Sequence, residues 1–167
     1  MQSDNWAQKA KDMGYRSRAV FKLEEILKKT NLKKISNVLD LGSAPGGWSQ
    51  FIIKKYSNSR VFAVDILDMK KIDGVDFFQT SIEDIQEIHE IEILRGKFNL
   101  VISDIAPNLT GINAVDCENV LNLNHLTINT AHKFLENGGA LIMKTFQNNN
   151  LKSLRKNMEL SFKLVQT

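Results

Sequence analysis

Asp40, Asp65, Asp104 and Lys144 are charged residues at the carboxyl ends of apolar runs: Val38–Leu41, Val61–Val64, Leu100–Ser103 and Ala140–Met143. Between Asp40 and the next amphipathic stretch lies Gly42-Ser43-Ala44-Pro45-Gly46-Gly47-Trp48. A turn of this kind lets a ligand approach the backbone, because glycine lacks a Cβ and tolerates positive φ. Its spacing is not G-x-G-x-x-G, and no Gly-Lys-Ser/Thr ends it, so the usual pyrophosphate and triphosphate loops are excluded. Asp40 would repel a phosphate but would accept a hydrogen bond from an ammonium group. A ligand with an amino-acid end and a ribose, but no phosphate, fits: S-adenosylmethionine (SAM). Asp65 follows the turn by about twenty residues, where sheets of this kind put an acid on the ribose hydroxyls. An ordinary tight turn and a solvent-exposed aspartate are the competing readings.

Lys144 is the second chemical signal. A lysine carried into a sheet end without a function is costly. Lysine acts as a base only when deprotonated, a state favoured by burial, by a second lysine and by a sulfonium, and opposed by a carboxylate. Lys22 is the candidate second lysine. It lies at the margin of the stripe Val20, Leu23, Ile26 and Leu27, so its stem can lie on the core while its ammonium reaches a cleft. A surface lysine is the alternative. The charge of a sulfonium disappears as its methyl leaves, so stabilising the leaving group calls for no metal. His89, His125, His132 and the single cysteine, Cys117, have no metal-ligand spacing, and no structural metal is expected.

The elements that must position these residues follow from periodicity. Ser3 to Tyr15 reads as an arm or short helix, and a helix runs to about Thr30. Strands are expected at Val38–Leu41, Arg60–Asp65, Val75–Gln79, Leu100–Ser103, Ala140–Lys144 and, beginning a sixth, Phe162–Val165. Helices are expected from the glycine turn to about Tyr56, over the acidic stretch Glu83–Glu92, from about Asp116 to Leu135, and over Leu151–Met158. Asn137-Gly138-Gly139 is the expected stop of the long helix, and Leu109–Asp116 a flexible lip over the site. Alternating strands and helices predict an α/β fold, a mostly parallel doubly wound sheet with helices on both faces. The 167 residues, 43% hydrophobic and 25% charged, suit one domain with a substantial core. No apolar run reaches membrane-spanning length, and one cysteine excludes an internal disulfide.

Charge is uneven. Residues 1–34 carry nine Lys/Arg and four Asp/Glu, a net of +5, against +3 for the whole chain, so the remainder is about −2. A basic face on a nearly neutral body suggests a polyanion held at one side, with Lys9, Lys11, Arg16 and Arg18 as phosphate contacts. A solvated charged helix is the simpler reading.

Asp40–Gln50, Arg16–Leu23, Asp104–Asn108 and Lys144 together resemble the FtsJ/RrmJ-type ribosomal RNA 2'-O-methyltransferases, over about Ser3 to Lys163. The resemblance implies a Rossmann-like SAM-dependent methyltransferase fold and a Lys-Asp-Lys-Glu tetrad, whose first three members match Lys22, Asp104 and Lys144. Its glutamate would lie beyond Thr167, and Ser81 stands where relatives carry an aspartate facing the adenine. Cofactor contacts are expected from Asp40, Gly42, Gly46, Gly47, Trp48, Asp65 and Asp104. The implied substrate is a uridine of large-subunit ribosomal RNA, and the implied protein a cytoplasmic monomer with no obligate protein partner. A seventh, antiparallel strand beside the fifth would also be implied, and no residues remain for it. A messenger RNA cap 2'-O-methyltransferase and a non-catalytic SAM-binding RNA chaperone or ribosome assembly factor are the alternatives.

Overall fold

The computed structural model describes residues 2–30, 32, 34–107 and 110–167, with side chains from Asn5 onward. Five strands form one parallel sheet: β1 (Asn37–Leu41), β2 (Arg60–Asp65), β3 (Val75–Gln79), β4 (Phe98–Ser103) and β5 (Leu135–Met143), in the order β3-β2-β1-β4-β5. The chain moves outward from β1 in one direction, then returns to β4 on its other side. The switch point between β1 and β4 is where open α/β sheets bind ligands.

The period-two alternation of the central strands makes two cores. Val38, Val61, Leu100 and Ile102 pack with α2 (Val20–Lys29) and α3 (Gly47–Lys55) on one face. Leu39, Leu41, Phe62, Val64 and Val101 face the other way, against α5 (Asn113–Phe134), α4 (His89–Glu92) and a 3-10 helix at Ile82–Glu87, and Phe98 joins them because the register of β4 against β5 shifts between it and Leu100. Phe62, Phe98 and Phe134 stack edge-to-face at 5.6 and 6.0 Å, linking two strands to α5. Edge-to-face pairs of this kind contribute about 0.5–1.5 kcal/mol each beyond their area. By the same alternation Asp40 shares the face of Val38, a core position for a carboxylate. α1 (Gln2–Asp12) precedes the first core helix, and α6 (Leu151–Glu159) follows β5.

Three expectations are corrected. The expected acidic helix is a 3-10 helix followed by the four-residue α4, and Ile82, Ile85 and Ile91 of these elements are buried. Asn137-Gly138-Gly139 does not stop a helix. α5 passes straight into β5 at Leu135, and the glycines lie in a bulge between the pairs Phe98–Leu135 and Leu100–Ala140. Gly138 has φ +85°, and a Cβ on Gly139 would lie 3.1 Å from the Phe98 carbonyl oxygen, so the bulge itself requires small residues. Phe162–Val165 forms no strand. Phe162 instead stacks on His132 of α5 with ring centroids 5.0 Å apart, and Arg155 of α6 donates to the Val165 carbonyl at 3.4 Å. Among the described residues β5 has no neighbour on its outer side, so this segment has no ladder to join. The expected lip begins at Leu109, which with Asn108 lies outside the described residues. Its remainder is tied to α5: the amides of Thr110 and Gly111 donate to Asp116 at 2.7 and 3.1 Å, and the Thr110 hydroxyl does so at 2.8 Å.

Candidate active site

β1, β2 and β4 end in register, Leu41 beside Val64 and Ser103, so their carboxyl ends share one rim. The glycine turn leaves β1 by donating the amides of Gly42 and Ser43 to the Val64 carbonyl at 2.8 and 3.2 Å. Gly42 has φ +70°, and a Cβ there would come within 2.7 Å of the Ile105 Cβ. Gly46, at φ +99°, begins α3, and a Cβ on Gly47 would meet Ser17 at 2.8 Å. The turn is thereby pressed against both the loop after β4 and the segment before α2. Trp48, buried, donates its indole N–H to the Ala19 carbonyl at 2.9 Å. Between these segments lies a cleft lined by Ser17, Ala19, Asp40, Gly42–Pro45, Gly47, Trp48 and Asp104.

Asp40 is 1% exposed, and Oδ2 accepts the Ser49 hydroxyl at 2.6 Å. Burial pushes its carboxyl up to about 7, and the nearby Asp104 and Asp65 carboxylates add to the rise against the Ser49 hydrogen bond. Asp65 accepts the Ala44 amide on Oδ2 and the Leu67 amide on Oδ1, both at 2.8 Å. Each oxygen keeps a lone pair for a further donor. Asp104 leaves the sheet at the end of β4, and the Lys144 ammonium lies 2.5 Å from its Oδ1. The Lys144 amide donates to the Ser103 carbonyl at 2.8 Å, so β5 delivers this lysine in register with β4.

Asp40, Gly42, Gly47, Trp48 and Asp104 therefore meet at one cleft, with Gly46 and Asp65 bracing its turn and Lys144 paired at its edge. Lys22 does not join them. Its side chain is 68% exposed and pairs with Glu25 at 3.3 Å, one turn along α2. Arg16 is also reassigned from an expected phosphate contact. Its guanidinium donates to the carbonyls of Pro45, Lys70 and Lys71 at 3.0, 2.6 and 2.8 Å, clamping the glycine turn to the loop after β2. Ser81 accepts the Glu83 amide at 3.2 Å, which caps the 3-10 helix, and Asp84 stays exposed on that helix.

Residues 15–167 match the model of the family described as FtsJ-like methyltransferase. The chain belongs to the FtsJ-like methyltransferase family. It is 41% identical over 149 residues to ribosomal RNA large subunit methyltransferase E of Stenotrophomonas maltophilia, covering 87% of this chain and 71% of that protein. The protein of the same name from Bordetella avium is 37% identical over 98% of this chain and 78% of its own length. A crystal structure described as that of a ribosomal RNA methyltransferase from Plasmodium falciparum superposes with a TM-score of 0.76 at 29% identity, covering 92% of this chain and 90% of that one. The fibrillarin/Nop5p complex, at 19% identity and a TM-score of 0.59 over 85% of this chain and 70% of that one, shares the fold.

The methyl donor of FtsJ-like methyltransferases of this type is SAM, and this chain is a SAM-dependent methyltransferase. The donor groups of the cleft suit that cofactor. The cleft offers carboxylates rather than phosphate-gripping cations, and the buried hydroxyl of Ser43 has no protein partner. Buried hydroxyls are rarely left unpaired, so polar ligand groups within reach of it are favoured. Asp40 suits the cationic end of the cofactor and Asp65 its ribose hydroxyls.

Sequence reasoning missed Ser49, which satisfies Asp40, and Ile105, which closes over Gly42. Ser49 was within reach: it lies one turn into the helix that follows the glycine turn, on the side facing β1. No local pattern identifies the three carbonyls that Arg16 takes up. None of the described helices is long and apolar enough to cross a membrane.

Proposed function

We propose that this FtsJ-like methyltransferase transfers the methyl group of SAM to the 2'-hydroxyl of a uridine in large-subunit ribosomal RNA. It would act as a cytoplasmic monomer, with residues 1–167 as a single catalytic domain. The observation that carries the reading is the Asp104–Lys144 pair at the edge of a cleft floored by Asp40 and the glycine turn. The relatives named ribosomal RNA large subunit methyltransferase E support the substrate class. The basic N-terminal segment supports a polyanionic one.

Bound SAM supplies an electrophilic methyl on a sulfonium whose charge is neutralised on transfer. The protein's part is alignment and exclusion of water. Paired with Asp104, Lys144 presents N–H groups that orient the sugar oxygen. Once its own proton has passed to solvent, its Nζ, still held beside Asp104, accepts the hydroxyl proton. Asp104 positions Lys144 at both stages, and Lys22, on the exposed side of α2, serves substrate placement.

Tritium transfer from labelled SAM to undermethylated ribosomal RNA tests the reading. Lys144→Ala should lower the transfer rate by about 10²–10⁴-fold, the usual worth of a positioned acid–base group. Near-normal transfer by that variant rejects the assignment. SAM and RNA binding by the wild-type protein without transfer would favour a non-catalytic assembly factor instead.

A further inference from the structure

Outside the cleft, the most distinctive surface lies where α1, α2 and α3 meet. A hollow of about 130 Å³ is lined by Met13, Tyr15, Phe21, Phe51, Lys54 and Lys55, among others. Trp6, 48% exposed, extends it, with its ring centroid 5.0 Å from that of Phe21. Each ring carries an ammonium. Lys9 lies 4.9 Å from the Trp6 centroid and 5.2 Å from that of Phe21, Lys54 lies 4.6 Å from Tyr15, and Lys55 5.5 Å from Phe51. Glu24, the acidic residue at the hollow, is held by Lys55 and Lys28 at 3.1 and 3.2 Å, so the rim is net positive.

We propose that this hollow stacks one unpaired base of the RNA substrate, in the strand flanking the nucleotide to be methylated. The inference rests on the RNA methyltransferase reading above. Chemistry argues for single-stranded nucleic acid. Each nucleotide brings a flat π face for the rings and a phosphate for the lysines, which move from the rings onto the backbone. An acidic peptide would engage the lysines and leave the aromatic faces unused. Position argues for the same strand that enters the cleft. The segment 15–21 supplies Tyr15 and Phe21 to the hollow, and Ser17 and Ala19 to the cleft.

The test uses the full chain, a fluorescein-labelled oligouridylate of about ten nucleotides, within the usual site size, and anisotropy over a salt series. Trp6→Ala should weaken binding by between about five-fold and a hundred-fold, the range for loss of one base stack. Trp6→Phe should retain most of the affinity. Lys54→Gln should reduce the slope of log K against log salt by about 0.7. Tyr15→Leu keeps an apolar side chain but removes the ring, and should weaken binding as Trp6→Ala does. In the transfer assay Trp6→Ala should raise the KM for RNA and leave kcat and the KM for SAM unchanged. Wild-type affinity and salt slope in Trp6→Ala, Tyr15→Leu and Lys54→Gln together would overturn the proposal. So would a polyglutamate peptide that binds the wild type more tightly than the oligouridylate does and binds Trp6→Ala equally well, which would point to an acidic protein. A wild-type enzyme that methylates ribosomal RNA while Trp6→Ala does so with unchanged KM sinks the stacking site alone. A wild-type protein that binds the oligouridylate in a Trp6-dependent way but transfers no methyl sinks the methylation reading alone.

Discussion

SAM binding should depend on pH through Asp40. In the free protein this carboxyl titrates at about 7, chiefly because of its burial. A cationic ligand group beside it requires the carboxylate, so binding below that pH must first remove a proton. The apparent Kd then rises by the factor 1 + 10^(pKa − pH). For a pKa of about 7, the factor is about 11 at pH 6 and about 1.3 at pH 7.5, an eightfold loss of affinity or about 1.2 kcal/mol. Calorimetric titration of SAM at the two pH values measures it, and at pH 6 binding should release close to one proton. Asp40→Asn should bind more weakly and show no such dependence. A second consequence carries the opposite sign. Between pH 4 and 7 the native state holds a proton at Asp40 that the unfolded chain has released, so this residue's contribution to stability falls as pH rises and levels off above 7. The fall amounts to about 4 kcal/mol for Asp40 alone, from 3.8 to about 7 at about 1.36 kcal/mol per unit. The stability of Asp40→Asn relative to wild type should therefore improve from pH 5 to pH 8. Equal wild-type affinity for SAM at pH 6 and 7.5 would refute the reasoning.

Two further outcomes follow from the cleft. Arg16→Ala should raise the KM for SAM by about tenfold, the worth of roughly one charge-assisted hydrogen bond, with kcat at saturating cofactor retained and Arg16→Lys only partly restoring it; an unchanged KM would remove Arg16 from the site. Gly42→Ala should lower stability by at least about 1–2 kcal/mol from the left-handed backbone alone, with the Ile105 contact adding to it, and urea midpoints compared at constant m will show whether it does.

The sheet was legible because alternation and apolar runs are local signals. Arg60–Asp65 and Val75–Gln79 are strands over the expected residues, and Asp40, Asp65 and Asp104 stand at the rim their spacing implied. The failures are those where a distant partner decides. Phe162–Val165 has strand composition, but a strand also needs a neighbouring edge, and the ring of His132 competes for Phe162. Asn137-Gly138-Gly139 carries the chemistry of a helix stop, which is equally the chemistry of a bulge, and only the pairing with Phe98 and Leu100 distinguishes them. Lys22 and Arg16 read alike as basic residues before or within an amphipathic helix. Their fates differ because Glu25 lies beside one, while three carbonyls from two loops converge on the other.

The bulge in β5 decouples Lys144 from everything upstream of it. Pairing restarts at Ala140 beside Leu100, and four consecutive pairs then carry the chain to Lys144. The span Glu136–Gly139 can thus gain or lose residues without shifting that count. Natural variants should tolerate length changes there, whereas a single insertion between Ala140 and Met143 would turn the lysine away from Asp104.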